Sequence, residues 1–431
     1  MGEFRAQSLA RMLTNGVPDR DFPASAGNPG IIDCITTQAD GRVIIGGSFD
    51  GVMSQDFPNL ARFMTDGTLD TNWTPCPDGS VKAVFPYGSD VYAAGSFNEI
   101  GGADVSRVAR LDGTDGQTIA GWTNKIYGVF YAAAIDDAYF YFGGIITNVN
   151  GVNCTYLART RHSDNQLDSA WLPSIDNTVM SLAADGSHVY CGGAFDVVSG
   201  QPLTNLARIS RTTGVADSAW KPDPNASIQT LVVDGTWLYA AGSFSVMAGE
   251  SLYSVARVSK TTPVSADTGW IPNTGGGSVQ AIVPYGDCVY LGGSFTYADT
   301  EIIANVARVG LADATVDAAW HPDPDSDVRA VLPLGDRVIV GGLFGNIGGM
   351  SRAGYAWLEP FRVEAVRLGD GIPQVIWRSG SNMLYTVQYA YSPSGTYMNA
   401  KENVLGTPET NVFTDADRPS DSGVYYRVLE L

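Results

Sequence analysis

Apolar and polar positions exchange places every second residue along most of this chain, in short runs that stop at Gly-, Asp- or Asn-containing turns. Val81-Lys82-Ala83-Val84, then Tyr87-Gly88-Ser89-Asp90, then Val91-Tyr92-Ala93 is one example. A period of two predicts half-buried β-strands, and two such runs around a short turn predict a hairpin. Each hairpin ends in a small-Gly-x-Phe element. It reads Gly46-Gly47-Ser48-Phe49, Ala94-Gly95-Ser96-Phe97, Gly143-Gly144-Ile145-Ile146, Gly192-Gly193-Ala194-Phe195, Ala241-Gly242-Ser243-Phe244, Gly292-Gly293-Ser294-Phe295 and Gly341-Gly342-Leu343-Phe344. Successive copies are 48, 49, 49, 49, 51 and 49 residues apart.

Two further elements keep the same period. An apolar-Ala-Arg-apolar run, such as Val108-Ala109-Arg110-Leu111, Leu206-Ala207-Arg208-Ile209 or Val306-Ala307-Arg308-Val309, predicts a third strand. About ten residues later an aromatic marker recurs at Trp73, Trp122, Trp171, Trp220, Trp270 and Trp320, with Phe22 in the first register. Three or four short strands in each of seven units predict an all-β, seven-bladed β-propeller, whereas a β-solenoid would need shorter coils. Glycine pairs suit strands that crowd together near an axis, where a side chain would block the approach.

The Ala-Arg strand has a surplus N-terminal copy, Leu9-Ala10-Arg11-Met12, and a degenerate last copy, Tyr355-Ala356-Trp357-Leu358. Residues 1–25 are therefore expected to be a ring-closing segment, with 6–22 pairing into the blade that holds Gly341 and Gly342 and so covering exposed sheet edges. The propeller is expected over 26–360. Past Pro360 the period stops, and runs at Val375 to Trp377, Leu384 to Tyr389, Asn411 to Phe413 and Val424 to Val428 predict a small β-sandwich over 361–431.

On its Gly-Gly-Ser-Phe and Leu-Ala-Arg elements, residues 6–360 resemble the delta-60 type repeats of large bacterial secreted and surface proteins. That resemblance implies a propeller and carries no catalytic residue. The C-terminal segment looks like the fibronectin-type or immunoglobulin-like domains of bacterial exported proteins and phage appendage proteins.

Composition narrows the function classes. The 45 acidic against 26 basic side chains leave a formal charge of -19, which repels phosphate backbones and anionic lipid, so neither nucleic acid nor membrane insertion is expected. Cys34, Cys76, Cys154, Cys191 and Cys288 lie far apart without CxxC or Cys/His spacing, which supports neither a disulfide framework nor a zinc site. Residues 1–22 hold no apolar h-region, so no Sec leader is expected there.

Repetition also weighs against catalysis. Arg11, Arg62, Arg110, Arg159, Arg208, Arg257 and Arg308 hold one position, and Asp19, Asp70, Asp168, Asp217, Asp267 and Asp317 stand three before the aromatic marker, with Ile119 breaking the series. A residue present in every unit is expected to do what every unit needs, here an Arg–carboxylate or Arg–carbonyl tie, and the tryptophans at one repeat position are expected to be packing. His162, His188 and His321 form no array and are expected on the surface or in turns. Asp323-Pro324-Asp325-Ser326-Asp327 begins like a calcium loop but has Val328 and Leu334 where Gly and Glu belong. Neither a metal nor any other cofactor is expected.

The leading expectation is a non-enzymatic structural or binding protein, a capsid- or tail-associated component of a phage or phage-like particle. Its partners would be other subunits of an assembly or a cell-surface glycan or protein. An exported bacterial surface or adhesion protein is the alternative, and a glycan-active propeller enzyme the second. Unit three departs most from the repeat, through Ile119, Ile145 and the run Tyr127, Phe130, Tyr131, Tyr139, Phe140, Tyr141. Strand alternation places part of that run in the core; either the whole run is ordinary core, or an exposed subset, with Tyr127 foremost, contributes to a contact with another subunit or a ligand.

Overall fold

The computed structural model describes residues 9–13, 30–351 apart from positions 54, 123, 336 and 349, and six strands between 363 and 430. The chain divides into two compact units, Met1–Pro18 with Phe22–Trp357, and Asp19–Asp21 with Leu358–Leu431. Among the described residues of the first unit, seven antiparallel sheets share one plan of first, middle and third strand. Sheet one is Ile31–Thr37, Val43–Ser48 and Leu60–Phe63; sheet two is Val81–Tyr87, Asp90–Gly95 and Val108–Leu111. Sheet three is Ile126–Ile135, Tyr139–Val149 and Leu157–Arg161, and sheet four is Val179–Ala184, His188–Gly193 and Leu206–Ser210. Sheet five is Ile228–Asp234, Trp237–Gly242 and Val255–Ser259, and sheet six is Val279–Tyr285, Cys288–Gly293 and Val306–Gly310.

Sheet seven takes its third strand from the other end of the chain. Leu9–Leu13 pairs antiparallel with Arg337–Gly342, Leu9 opposite Gly341, while Val328–Leu334 lies on the other side. Phe22, Asp19 and the Tyr355-Ala356-Trp357-Leu358 copy lie outside the described residues.

The first strands follow one another as neighbours, each beside the first strand of the next sheet, and Val328–Leu334 of sheet seven lies beside Ile31–Thr37 of sheet one. The core sits between sheets and not within them. Trp73 packs with Ile44 and Leu60 of sheet one and with Val81, Val91 and Leu111 of sheet two, and Ile339 of sheet seven packs with Ile32 and Ile45 of sheet one. Close approach explains the first glycine of each pair. A Cβ on Gly143 would stand 2.6 Å from Val179 Cγ1 of the next sheet, and one on Gly292 would stand 2.9 Å from Val328 Cγ1. Alternating strands stacked radially around interleaved cores make this unit a β-propeller.

In the C-terminal unit, Val363–Gly369, Ile372–Trp377 and Asn411–Thr414 form one sheet, and Met398–Leu405, Leu384–Ala390 and Tyr425–Glu430 form another. The chain passes between the two sheets after Trp377, after Leu405 and after Thr414.

Candidate functional site

The repeated arginines and tryptophans meet at the joints between sheets. Arg62 Nε donates to Asp70 Oδ2 at 3.0 Å, and its Nη2 donates to Thr114 O of sheet two at 3.4 Å. Arg159 and Arg257 bind Asp168 and Asp267 at 2.6–3.0 Å, and Arg208 and Arg308 pair with Asp217 and Asp317. The remaining N–H groups reach a carbonyl one period ahead: Arg110 donates to His162 O at 3.2 Å, Arg159 to Arg211 O, Arg208 to Lys260 O, and Arg257 to Leu311 O at 2.6 Å. Where Ile119 removes the acid, Arg110 pairs instead with Asp90, 2.7 Å away at the start of the middle strand.

The tryptophans cross the same joints. Trp73, Trp171, Trp220 and Trp270 donate their indole N–H to carbonyls of the following sheet at 2.9–3.1 Å. Trp122, Trp171, Trp220, Trp270 and Trp320 each take a tyrosine edge-on at 5.2–5.5 Å. Each repeat arginine from Arg62 to Arg308 lies over its own tryptophan at 4.6–5.7 Å. This set is a latch, and most of its polar atoms are spent on it; Arg208 Nε alone among its described arginine nitrogens is buried without a partner.

A second repeated device closes the hairpin that follows the Gly-x-Phe element. Asp78 Oδ1 accepts from the backbone N–H groups of Asn98 and Glu99 at 2.7 and 3.0 Å. Asp176 does the same for Asp196 and Val197, Asn225 for Ser245 and Val246, and Asp325 for Gly345 and Asn346. The Asp323–Asp327 segment is thus one copy of this turn cap. In sheet three the same position, 49 residues after Asp78 and 49 before Asp176, holds Tyr127. A phenol cannot serve as a carboxylate acceptor, and the two segments instead pair through their backbones, Tyr127 opposite Asn148 and Val129 opposite Ile145. The first and middle strands of sheet three consequently run to 10 and 11 residues, against six or seven elsewhere. Tyr127, 61% exposed, stands with Val129, Tyr131 and Ile145 on the open surface of this longer hairpin.

A third position is repeated in geometry but not in residue. Every first strand carries one bulge, and the extra residue is Asp33, Lys82, Tyr131, Met180, Gln229, Gln280 or Arg329. A bulge re-aims a side chain out of the ladder. The outcome is visible where sheets seven, one and two meet: Arg329 Nη1 and Lys82 Nζ both stand 2.7 Å from the Asp33 carboxylate, from opposite sides. The Asp33 side chain is 8% exposed, while those of Lys82 and Arg329 keep 36% and 28% exposure. Arg329 Nε is buried without a hydrogen-bond partner. Sequence reading missed this column, although its 49, 49, 49, 49, 51 and 49 spacing matches the other markers.

His162 lies in the turn after Leu157–Arg161, one of the two expected settings, but it is buried there, with Nδ1 2.8 Å from the Tyr92 hydroxyl, Nε2 3.0 Å from Asp136 O, and its ring 4.1 Å from that of Tyr87. The aromatic neighbours that bury it lie 70 and more residues away and leave no local signal. Burial lowers its pKa below the usual imidazole value, and the Asp136 carbonyl opposes that shift. Nε2–H donates to the carbonyl, so Nδ1 accepts from the phenol. His188 opens a middle strand half-buried, and His321 is exposed beside Asp323. A groove of ≈ 570 Å³ lies between the turns Asp234-Gly235-Thr236 and Gly286-Asp287, lined by Trp237, Tyr239 and Arg257. Arg257 there is committed to Asp267, Tyr239, Leu311 and Ala312.

A family described as a domain of unknown function (DUF5122), beta-propeller, matches residues 38–72. No curated protein matches the chain significantly. Among solved structures, the computationally designed Ika8 protein is similar at a TM-score of 0.47 and 13% identity, over 76% of this chain and 97% of that one. The Neurospora crassa Pan2 WD40 domain is similar at 0.45 and 11%, over 79% and 97%, and a chain of the Mitotic Checkpoint Complex at 0.43 and 12%, over 80% and 94%.

Proposed function

We propose that this chain is a non-enzymatic binding scaffold: a seven-bladed, delta-60 type propeller closed by its N-terminal strand, carrying a fibronectin- or immunoglobulin-like domain, and serving as a capsid- or tail-associated component of a phage or phage-like particle. Seven sheets of one plan, and Leu9–Leu13 seated on Arg337–Gly342, support the blade count and the closure. Two three-stranded sheets with chain crossings between them support the sandwich. The setting in a particle rests on the resemblance of repeat and C-terminal domain to extracellular and appendage modules.

One observation carries the binding role. Most of the repeated polar groups are used in latches and caps, and in sheet three, where Tyr127 stands in place of the capping acid, the hairpin presents Tyr127, Val129, Tyr131 and Ile145 to solvent. Contiguous exposed aromatic and aliphatic side chains on a rigid strand pair suit a contact with another subunit or a cell-surface partner. The test is Tyr127→Ser, followed by sedimentation of the protein with purified particles and by thermal melting. Lost co-sedimentation at unchanged melting temperature supports the contact. Absence of the protein from purified particles sinks the particle assignment, and unchanged co-sedimentation returns Tyr127 to an ordinary surface residue.

A further inference from the structure

The bulge column is where the seven units differ most in chemistry while agreeing in geometry. Strand position, bulge and neighbour relations recur around the circle, yet the projecting side chain is a carboxylate, an ammonium, a phenol, a thioether, two amides and a guanidinium in turn. A purely structural need shared by every unit would select one residue type, as it does for the latch arginine. Variation at a fixed, projecting position is what a single asymmetric ligand requires of a ring of near-identical supports.

Charge narrows the ligand. Lys82 and Arg329 share one carboxylate, so the group of three carries a net charge of about +1, although the chain as a whole is at -19. The distant negative charges are screened over roughly 8 Å at physiological salt, so the local cations decide. Asp33 is the buried member of the trio, and the two cations keep open surface toward solvent. Further round the circle, Gln229 and Gln280 project from adjacent first strands, which are joined where the Thr230 side-chain hydroxyl donates to the Gln280 backbone carbonyl at 2.6 Å. Primary amides both donate to and accept from hydroxyls. Tyr131, 48% exposed and next in order after Lys82, adds an aromatic face.

We infer that this ring of bulge residues binds a carboxylate-bearing saccharide, with Lys82 and Arg329 meeting the carboxylate, Gln229 and Gln280 the hydroxyls, and Tyr131 a sugar face. The inference rests on the binding-scaffold reading and shares Tyr131 with the Tyr127 contact, but the residues that test it, Lys82 and Gln229, lie outside that contact, so each can fail alone. Titration calorimetry on the full chain with trigalacturonate, galactotriose and glutamate tests it. Trigalacturonate is expected to bind, and galactotriose to bind at least about tenfold more weakly. Lys82→Met and Gln229→Ala, each checked for an unchanged melting temperature, are each expected to weaken trigalacturonate by about tenfold or more, and Tyr127→Ser to leave it unchanged. Affinity for trigalacturonate should fall as salt rises. No binding of trigalacturonate, equal binding of galactotriose, or indifference to Lys82→Met at unchanged stability overturns the proposal. Glutamate binding as tightly as trigalacturonate overturns its saccharide part.

Discussion

Single residues decide how strongly each joint is held, because the same Arg–Asp pair is buried to different depths around the circle. Arg62 is 1% exposed and Asp70 7%, whereas Asp317 is one-third exposed. Removing one partner of a buried pair strands the other charge at a loss of about 3–5 kcal/mol, while an exposed pair contributes about 0–1 kcal/mol. Asp70→Asn is therefore expected to lower the denaturation midpoint clearly, and Asp317→Asn to leave it within about 1 kcal/mol of the parent; urea titration of the two variants makes the comparison. Acid sensitivity belongs to residues as well. Burial raises the Asp136 pKa, but Arg211, the Tyr141 hydroxyl and the N–H groups of Ala138 and Tyr139 outweigh it and hold the carboxyl at about 2, below its ordinary 3.8. The His162 imidazole is held below its ordinary 6.5 by burial. Both groups bind fewer protons folded than unfolded, so stability rises with pH across their range. It is complete above about 6.5 for His162 and about 3.8 for Asp136, and is lost as the pH falls through each folded value. His162→Gln should flatten the decline in melting temperature between pH 7 and 5 and leave the decline below pH 4 in place.

The latch could be anticipated because its partners recur at a fixed distance in sequence. The cap could not, since Asp78 and the N–H groups of Asn98 and Glu99 are 20 residues apart and an aspartate in a Pro-rich loop looks like any turn residue. Alternation was equally silent on the bulges, because one extra residue in a strand reads as a small irregularity of phase. Tyr127 stood out only as an aromatic in a run of aromatics; that it replaces an acid cap became visible from the contacts of Asp78 and Asp176. That His162 is buried within its turn leaves no local trace, because the burial comes from Tyr87 and Tyr92 of the preceding sheet.

Hairpins with and without the cap are expected to respond differently to truncation. Asp176 satisfies two backbone donors, so Asp176→Ala should lose about 1–2 kcal/mol. Tyr127→Ala, at a position whose N–H groups are paired through the ladder, should stay within about 0.5 kcal/mol. Hydrogen exchange offers a second reading: amides of Asp196 and Val197 should lose protection in Asp176→Ala, while those of Ile145 to Asn148 stay protected in Tyr127→Ala. Loss of protection at Asn148 in the latter would mean that the phenol, and not the backbone ladder, holds the long hairpin.

Across the whole first unit, the last-to-first joint is made by chain segments far apart in sequence, through Leu9–Leu13 on Arg337–Gly342 and through Arg329 on Asp33, 296 residues away. Deleting residues 1–24 removes the third strand of sheet seven and leaves the edge of Arg337–Gly342 unpaired, an invitation to pair with another chain. Such a variant is expected to aggregate or to melt well below the parent, as light scattering and calorimetry would record. A truncated protein that stays monomeric and equally stable would mean that the joint between sheets seven and one is held without the N-terminal strand, by its apolar contacts and the Arg329–Asp33 pair.

The latches also point one way round. Arg62, Arg110, Arg159, Arg208 and Arg257 each reach forward to a carbonyl between 51 and 54 residues later. From sheet two to sheet five, each period of chain therefore carries the donor half of one joint and the acceptor half of the one before. Such a network looks the same after a shift by one unit, so a gene that gains or loses one whole period still encodes a complete set of matched joints. Only the wedge angle between neighbours has to adjust. Growth of the ring by duplication is then a chemically silent step, and residues at the bulge column are free to diverge once the copy is in place.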